Sequence, residues 1–308
     1  MNTVALPKLT SLGMELDASD TAFGELRRSD DIAQDGAALR ARMAEDGYLY
    51  VPGLLDVEQL RAARQYVVDR LAEMELLDDR FPRMEAVSLP DKGGAFMPDK
   101  LAHQNQALLD VLYTGPMMKF YERLLGGPVR HFDYTWFRSV RGGGTGTSPH
   151  CDIVYMGRGT FNLCTSWTPL GDIPIELGGL MILEGSHRQR ERLRKYLKRD
   201  VDEYCLNSPD PKIAAGQGGW GKWGGQLSAD PVSLREKMGG RWLTTDFRMG
   251  DVLVFGMATV HASLDNHTNR FRLSSDSRYQ LASEPADERW VGENPIGHGQ
   301  AGKRGKIC

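Results

Sequence analysis

The 308-residue sequence predicts a mainly β domain with α-helices packed on its outside. Three observations lead there. After Pro128 the chain becomes a series of short β-type runs, VRHFDYTWFRSV, FNLCTSWTPL, GLMILEG, DVLVFG and RFRLSSDSRYQL, separated by Gly, Pro and Asp. Before Pro128, apolar residues recur at helical spacing between capping signals. No internal repeat, coiled coil or linker divides the two parts, so a single domain is expected over 37–284, with an N-terminal arm at 1–36 and a C-terminal tail at 285–308.

Taken in order, residues 1 to 30 are polar and aperiodic and suggest an extended arm or a short helix on the surface. AALRARMAED, from Ala37 to Asp46, is rich in helix formers and ends at Gly47; Tyr48 to Val51 then alternates as a strand before Pro52 and Gly53. Asp56 and Gln59 make a capping box, after which Leu60, Ala63, Val67, Leu71 and Met74 form the apolar stripe of a long helix. Residues 80 to 100 read as a loop, followed by helices near 104–113 and 116–125, the second opened by Pro116 and closed by Gly126 and Gly127. Within the β half, an insertion at 188–248 begins with the basic QRERLRKYLKRD and passes through GQGGWGKWGGQ. An interruption of that length suggests a functional lid or a disordered surface excursion; at its centre Trp220 and Trp223 stand among six glycines between Gly216 and Gly225, which suits a closing loop.

Net charge is −3, and the basic stretch GKRGK at 302 to 306 is too short for a nucleic-acid stripe, so a small-molecule substrate is expected. The first 20 residues lack a secretory pattern, and nowhere do 18 apolar residues run together, which predicts no membrane association. Cysteines at 151, 164, 205 and 308 show no zinc-ligand or disulfide-framework spacing and suggest a reducing, cytoplasmic setting.

Chemistry is suggested by a His-x-Asp dyad. On a strand, side chains two apart share a face, so an imidazole and a carboxylate at that spacing converge. Two such dyads occur, His131-Phe132-Asp133 and His150-Cys151-Asp152. The first opens a run that reads as strand interior, whereas the second follows the open turn GGGTGTSP, so His150 and Asp152 are favoured and His131 is read as structural. A second His would complete the two-His, one-carboxylate set of non-haem Fe(II) oxygenases. His261 qualifies because it follows the apolar run of GDVLVFGMATVHASLDN, while His103, His187, His267 and His298 sit in helical, turn or tail contexts. Beyond it, period two in RFRLSSDSRYQ sets Arg270, Arg272, Ser274, Asp276, Arg278 and Gln280 on one face. That face is either a solvated exterior or an interior fork for a carboxylate.

With these motifs in hand, the chain resembles the phytanoyl-CoA dioxygenase-like family of Fe(II)/2-oxoglutarate oxygenases over about residues 38 to 282. The likeness rests on DGYLYVPGLL, HCD, WTPLGDIPIELGGLMILEGSHR, GDVLVFGMATVHASLDN and the placement of Arg272 11 residues after His261. It implies a double-stranded β-helix, the cupin-like jelly roll, with Fe(II) held by His150, Asp152 and His261. It also implies that Arg272 and Ser263 hold the distal carboxylate of 2-oxoglutarate and that Trp167 lines its pocket. Tyr134, Trp136 and Arg138, on one strand face leading to the metal, are candidates for contact with cosubstrate or substrate, the alternative being a plain core role, and Thr165 is a weaker candidate. The expected reaction consumes O2 and 2-oxoglutarate, releases succinate and CO2, and hydroxylates a small molecule. Asp152 favours this over halogenation, because halogenating relatives carry a small residue in place of the carboxylate. Alternatives are a cupin-like metal enzyme without 2-oxoglutarate and a noncatalytic jelly-roll binder; Arg272 and the full ligand set speak against both.

Overall fold

A computed structural model describes residues 9–90, 92, 97–214 and 223–307. Two facing sheets form the jelly roll, and hydrogen bonding does not close them into a barrel. The larger sheet contains β4 (Tyr48–Val51), β5 (Val129–His131), β6 (Trp136–Val140), β7 (Cys164–Pro169), β11 (Val252–Gly256) and β13 (Arg272–Leu281). Its order is β4-β11-β7-β13-β5, and β6 pairs the N-terminal part of β13. The smaller sheet runs β12 (His261–Ser263), β8 (Leu180–Leu183), β10 (Trp242–Thr244) and β3 (Phe23–Glu25).

Strand parity decides what lies between the sheets. On β11, Leu253 and Phe255 join Trp167, Ile182, Leu243 and Phe247 in the intersheet core. Val252 and Val254 point outward into a second core beneath α2 (Val57–Glu73), α4 (Gln106–Tyr113) and α5 (Gly115–Leu125). Asp56 caps α2 by accepting from the Gln59 amide at 2.8 Å, and the stripe Leu60, Ala63, Val67 and Leu71 is fully buried. On β13, Leu273 and Tyr279 face the helices, where Tyr279 stacks on Tyr121 with ring centroids 4.0 Å apart. The opposite face carries Arg272, Ser274, Asp276, Arg278 and Gln280, all buried. Arg270 lies before the strand and pairs with Glu85 at 3.5 Å.

Several expectations need correction. The N-terminal segment is no surface arm: Thr10 and Ser11 are buried in a small hairpin, and β3 forms the edge of the smaller sheet, parallel to β10. The cause is long-range. Asp265 accepts from the amides of Leu12, Gly13 and Gly146 at 2.9, 2.8 and 2.7 Å and from Thr10 Oγ1 at 2.6 Å. The run HFDYTWFRSV is broken between β5 and β6, because Phe132 and Asp133 turn to bond Arg278 and Trp290 carbonyls. QRERLRKYLKRD yields one helical turn, Arg194–Leu197, and the insertion also supplies helix Pro231–Met238 and the sheet strand β10. The segment expected as a tail buries Arg289 and Trp290, and its Arg304–Lys306 strand pairs with Glu203–Cys205. Cys151 and Cys164 are free, buried thiols. Among the described residues no helix is long and apolar enough to cross a membrane.

Candidate metal centre

His150 bridges to His261 of β12 through reciprocal backbone hydrogen bonds of 3.0 Å. Asp152 does not continue as a strand; its backbone is helical (φ −66°, ψ −23°) and it opens the one-turn helix Ile153–Met156. The dyad therefore converges through a turn and not through strand parity. Cys151 points away, its thiol meeting the Ala258 carbonyl at 3.5 Å.

Hydrogen bonding fixes both imidazoles. His150 Nδ1 meets the Ser148 carbonyl at 2.7 Å and His261 Nδ1 meets that of Thr259 at 3.1 Å. A carbonyl only accepts, so each Nδ1 carries the proton and each Nε2 keeps a lone pair for a metal. Those Nε2 atoms lie 3.8 and 3.6 Å from Asp152 Oδ1. An octahedral ion with donors at about 2.1 Å places neighbouring donors roughly 3 Å apart, so a small contraction accommodates it. Among the described residues this is the single cluster of three His, Cys, Asp or Glu able to hold a metal. Burial, then the neighbouring His261, pushes the His150 pKa down to about 3, and burial lowers that of His261. Burial raises the Asp152 pKa, but Arg278 and the two imidazoles outweigh it and leave the carboxyl below its ordinary range. Two neutral imidazoles and one carboxylate are the protonation states that bind a divalent ion.

The second oxygen of Asp152 is clamped. Arg278 Nη2 donates to Oδ2 at 3.0 Å, the Thr165 hydroxyl donates to the same oxygen, and the guanidinium carbon lies 4.2 Å from the centroid of the Trp136 ring. Thr165, expected in the cosubstrate pocket, thus contacts the metal carboxylate. Arg278 went unrecognised as a site residue although it shares the polar face of β13 with Arg272; that parity was the available signal.

Arg272 is 1% exposed and donates to Ser274 Oγ at 2.7 Å, while its Nε and the indole N–H of Trp167 are buried without partners. Burial first, then Arg138, pushes the Arg272 pKa down to about 10 despite Asp276. A buried, under-neutralised guanidinium with an unused donor fits an incoming carboxylate. Ser263 is buried, and its Oγ accepts from the Thr147 amide at 2.7 Å. Trp167 packs on Phe247, with centroids 4.7 Å apart.

A cavity of about 430 Å³ opens beside the triad. Tyr134, Trp136, Arg138, Tyr155 and Arg278 line it together with Trp290 and Pro295 to His298. Arg138 pairs with Asp276 at 3.3 Å. A larger cleft of about 610 Å³, bordered by Leu163, Met257 and Ala258, contains none of the triad residues. Among the described residues, none from 188 to 248 lines the triad's cavity. Trp220, Gly218 and Gly219 of the expected lid lie outside the described residues. Trp223 packs under Arg199, 3.1 Å from its ring centroid, and against Tyr196. The insertion braces the metal loop from behind: Tyr196 Oη accepts from the Cys151 amide at 3.0 Å and donates to the Gly225 carbonyl at 2.7 Å. His131 lies apart from the triad cluster and stacks on Tyr113 with centroids 4.0 Å apart.

The family model described as phytanoyl-CoA dioxygenase (PhyH) matches residues 43–274. The chain belongs to this family. Among curated relatives, the 1-deoxypentalenic acid 11-beta-hydroxylase of Streptomyces exfoliatus is 24% identical over 262 residues, covering 82% of this chain and 83% of its own. EctD from S. alaskensis, solved with 2-oxoglutarate and 5-hydroxyectoine, superposes with TM-score 0.55 at 16% identity, covering 95% and 94% of the two chains. The epimerase SnoN from nogalamycin biosynthesis, solved with Fe3+, α-ketoglutarate and nogalamycin RO, gives TM-score 0.52 at 21% identity, covering 84% and 88%. At these identities the solved structures establish the shared fold. Arg278 lies beyond the family match, as do Trp290 and Pro295 to His298.

Proposed function

We propose that this protein is an Fe(II)- and 2-oxoglutarate-dependent dioxygenase that hydroxylates a small molecule. The observation that carries the reading is the joint presence of three converging ligand atoms and a buried guanidinium with an unused donor. Family membership and a relative named as a hydroxylase support it. His150, Asp152 and His261 are assigned to the metal, and Arg272 with Trp167 to the far carboxylate of 2-oxoglutarate. With Fe(II), 2-oxoglutarate and O2 bound, such a centre oxidises a substrate C–H bond while the cosubstrate leaves as succinate and CO2.

The protein's own residues perform the positioning. Ser148 and Thr259 carbonyls hold the imidazole protons on Nδ1, so both Nε2 atoms stay available. Arg278 and Thr165 occupy Asp152 Oδ2, leaving Oδ1 toward the imidazoles. Tyr134, Trp136 and Trp290 shield the cavity from water and hold the substrate over the centre. Asp152 fills the position that a halide would require.

The test is anaerobic addition of 2-oxoglutarate to the Fe(II) protein, read as a weak visible charge-transfer band, followed by a substrate screen for accelerated succinate release. Absence of the band with intact Fe(II) binding would turn the assignment to a cupin-like enzyme that does not use 2-oxoglutarate.

A further inference from the structure

We propose that the cleft of about 610 Å³ bordered by Leu163, Met257 and Ala258 is a second binding site, taking a soluble molecule that joins an apolar body to an anionic head. The cleft shares no residue with the triad or with the cavity beside it, so this site stands apart from the functional reading above.

The floor of the cleft is apolar. Leu124, Leu163, Met257 and Ala258 line it while remaining almost wholly buried, and Met43 and Leu125 flank them. At the edge Phe161 is 38% exposed, a large apolar side chain left in water. A recess of this composition gains stability when an apolar group enters and displaces its water. Because most of the apolar surface is sunk below the rim, it suits a molecule that enters the cleft better than a flat partner laid across it.

The rim is positive. Arg40, Arg188 and Arg190 line the same cleft, and none pairs with a carboxylate among the described residues. Arg40 donates to the Arg123 and Leu124 carbonyls at 3.0 and 3.2 Å, and Arg188 donates to the Glu45 carbonyl at 2.8 Å. Those carbonyls lie at the ends of α5 and of the helix Gly36–Asp46, whose dipoles offset only part of the charge. Arg190 has no such partner; its guanidinium carbon lies 4.3 Å from the centroid of the Phe161 ring. Glu284, the one carboxylate lining the cleft, already accepts from the Thr160 hydroxyl and, at 3.0 Å, from Asn162 Nδ2. His187 adds no charge at neutral pH: burial lowers its pKa, and Arg188 and Arg190 push it the same way. Three cations against one engaged carboxylate leave a rim that attracts an anion. An anion meeting Arg190 sets the body attached to it beside Phe161 and over the apolar floor.

The test uses two probes with the same aromatic body, 8-anilinonaphthalene-1-sulfonate and the neutral N-phenyl-1-naphthylamine, titrated by fluorescence against the folded full chain. Wild type is expected to bind the sulfonate at least about threefold more tightly than the amine, the size of an exposed ion pair. Arg190→Gln should remove about half of that preference or more. Ala44 is exposed where it lines the cleft, so Ala44→Trp should fold normally, fill the space and weaken both probes about tenfold or more. Loading with Ni(II) and 2-oxoglutarate should leave sulfonate affinity within about twofold, since the two sites share no residue. A smaller preference in wild type, an unchanged preference in Arg190→Gln, unchanged binding in Ala44→Trp, or displacement by 2-oxoglutarate would overturn the proposal. Cosedimentation of wild type with phosphatidylglycerol vesicles, lost in Ala44→Trp, would also overturn it by giving the cleft to a membrane surface.

Discussion

Replacing Arg278 with leucine tests whether the metal carboxylate depends on its clamp. The Arg278 and Asp152 side chains are 5% and 2% exposed and their polar atoms lie 3.0 Å apart, so the substitution leaves a buried carboxylate without its cation. Breaking a buried pair by removing one partner costs about 3–5 kcal/mol. The Thr165 hydroxyl still donates to the same oxygen, so the lower end of that range is expected for the metal-free protein. Losing a group that orients a metal ligand typically lowers affinity about 10- to 100-fold, or roughly 1.4–2.7 kcal/mol. Urea unfolding of the metal-free variant should therefore show a loss of about 3 kcal/mol. Competition titration with Ni(II) should show at least a tenfold weaker site, with Arg278→Lys intermediate because the charge returns without the planar fork. If Arg278→Leu stays within twofold of wild type in Ni(II) affinity, the clamp has no bearing on the metal and the reasoning is refuted.

Other expectations follow from the same geometry. Asp152→Ala should abolish Fe(II)-dependent turnover in a folded protein by circular dichroism, whereas Asp133→Ala, which loses a bond to the Gly292 amide at 2.6 Å, should leave Ni(II) affinity within twofold. Arg272→Ala should raise the 2-oxoglutarate concentration needed for half-maximal succinate release tenfold or more, since a buried charge-assisted pair contributes about 1.5–3 kcal/mol, while Ni(II) affinity changes little. In the metal-free protein the buried His150 resists protonation down to about pH 3, whereas the unfolded chain takes up that proton near the ordinary value of 6.5. Its contribution to stability is therefore complete above about pH 6.5 and declines by roughly 1.4 kcal/mol per pH unit toward pH 3. Urea midpoints across that window should fall in wild type and fall less steeply in His150→Asn, where the buried His261 still resists protonation.

Local pattern made much of the scaffold legible. The capping box at Asp56, the stripe of α2 and the period-two face of β13 are signals carried by residues a few positions apart, and the structure uses each one. Context also distinguished His150 from His131, because an open glycine turn and a strand interior differ in sequence, and His150 is the one the structure brings together with Asp152 and His261. The reason given for convergence was nevertheless wrong. Asp152 reaches the imidazoles by turning into a helix, and the amide of Tyr155 bonding its carbonyl at 2.9 Å is part of that turn. What stayed illegible depends on contacts across long sequence separations. Asp265 collecting three amides from residues 12, 13 and 146, or Arg289 collecting Asp200, Asp202 and Asp287, leaves no periodic trace. The first segment therefore read as an arm and the second as a tail, although one forms a sheet edge and the other lines the cavity beside the triad.

The same distinction explains why β13 serves two purposes without conflict. Arg272 and Arg278 share a face, yet six residues at about 3.4 Å per residue separate their Cα atoms by roughly 20 Å. Their recorded partners do not overlap: Arg272 meets Ser274, while Arg278 meets Asp152 and Trp136. One end of the strand therefore holds a guanidinium kept short of a counter-charge, which suits the anion-binding role proposed for it. The other holds a guanidinium paired with a carboxylate of the protein, fixing a member of the proposed metal triad. Charge type and strand parity are identical at the two positions. Only the presence or absence of a carboxylate partner separates a binding group from a positioning group, and that partner, Asp152, is 126 residues away in sequence.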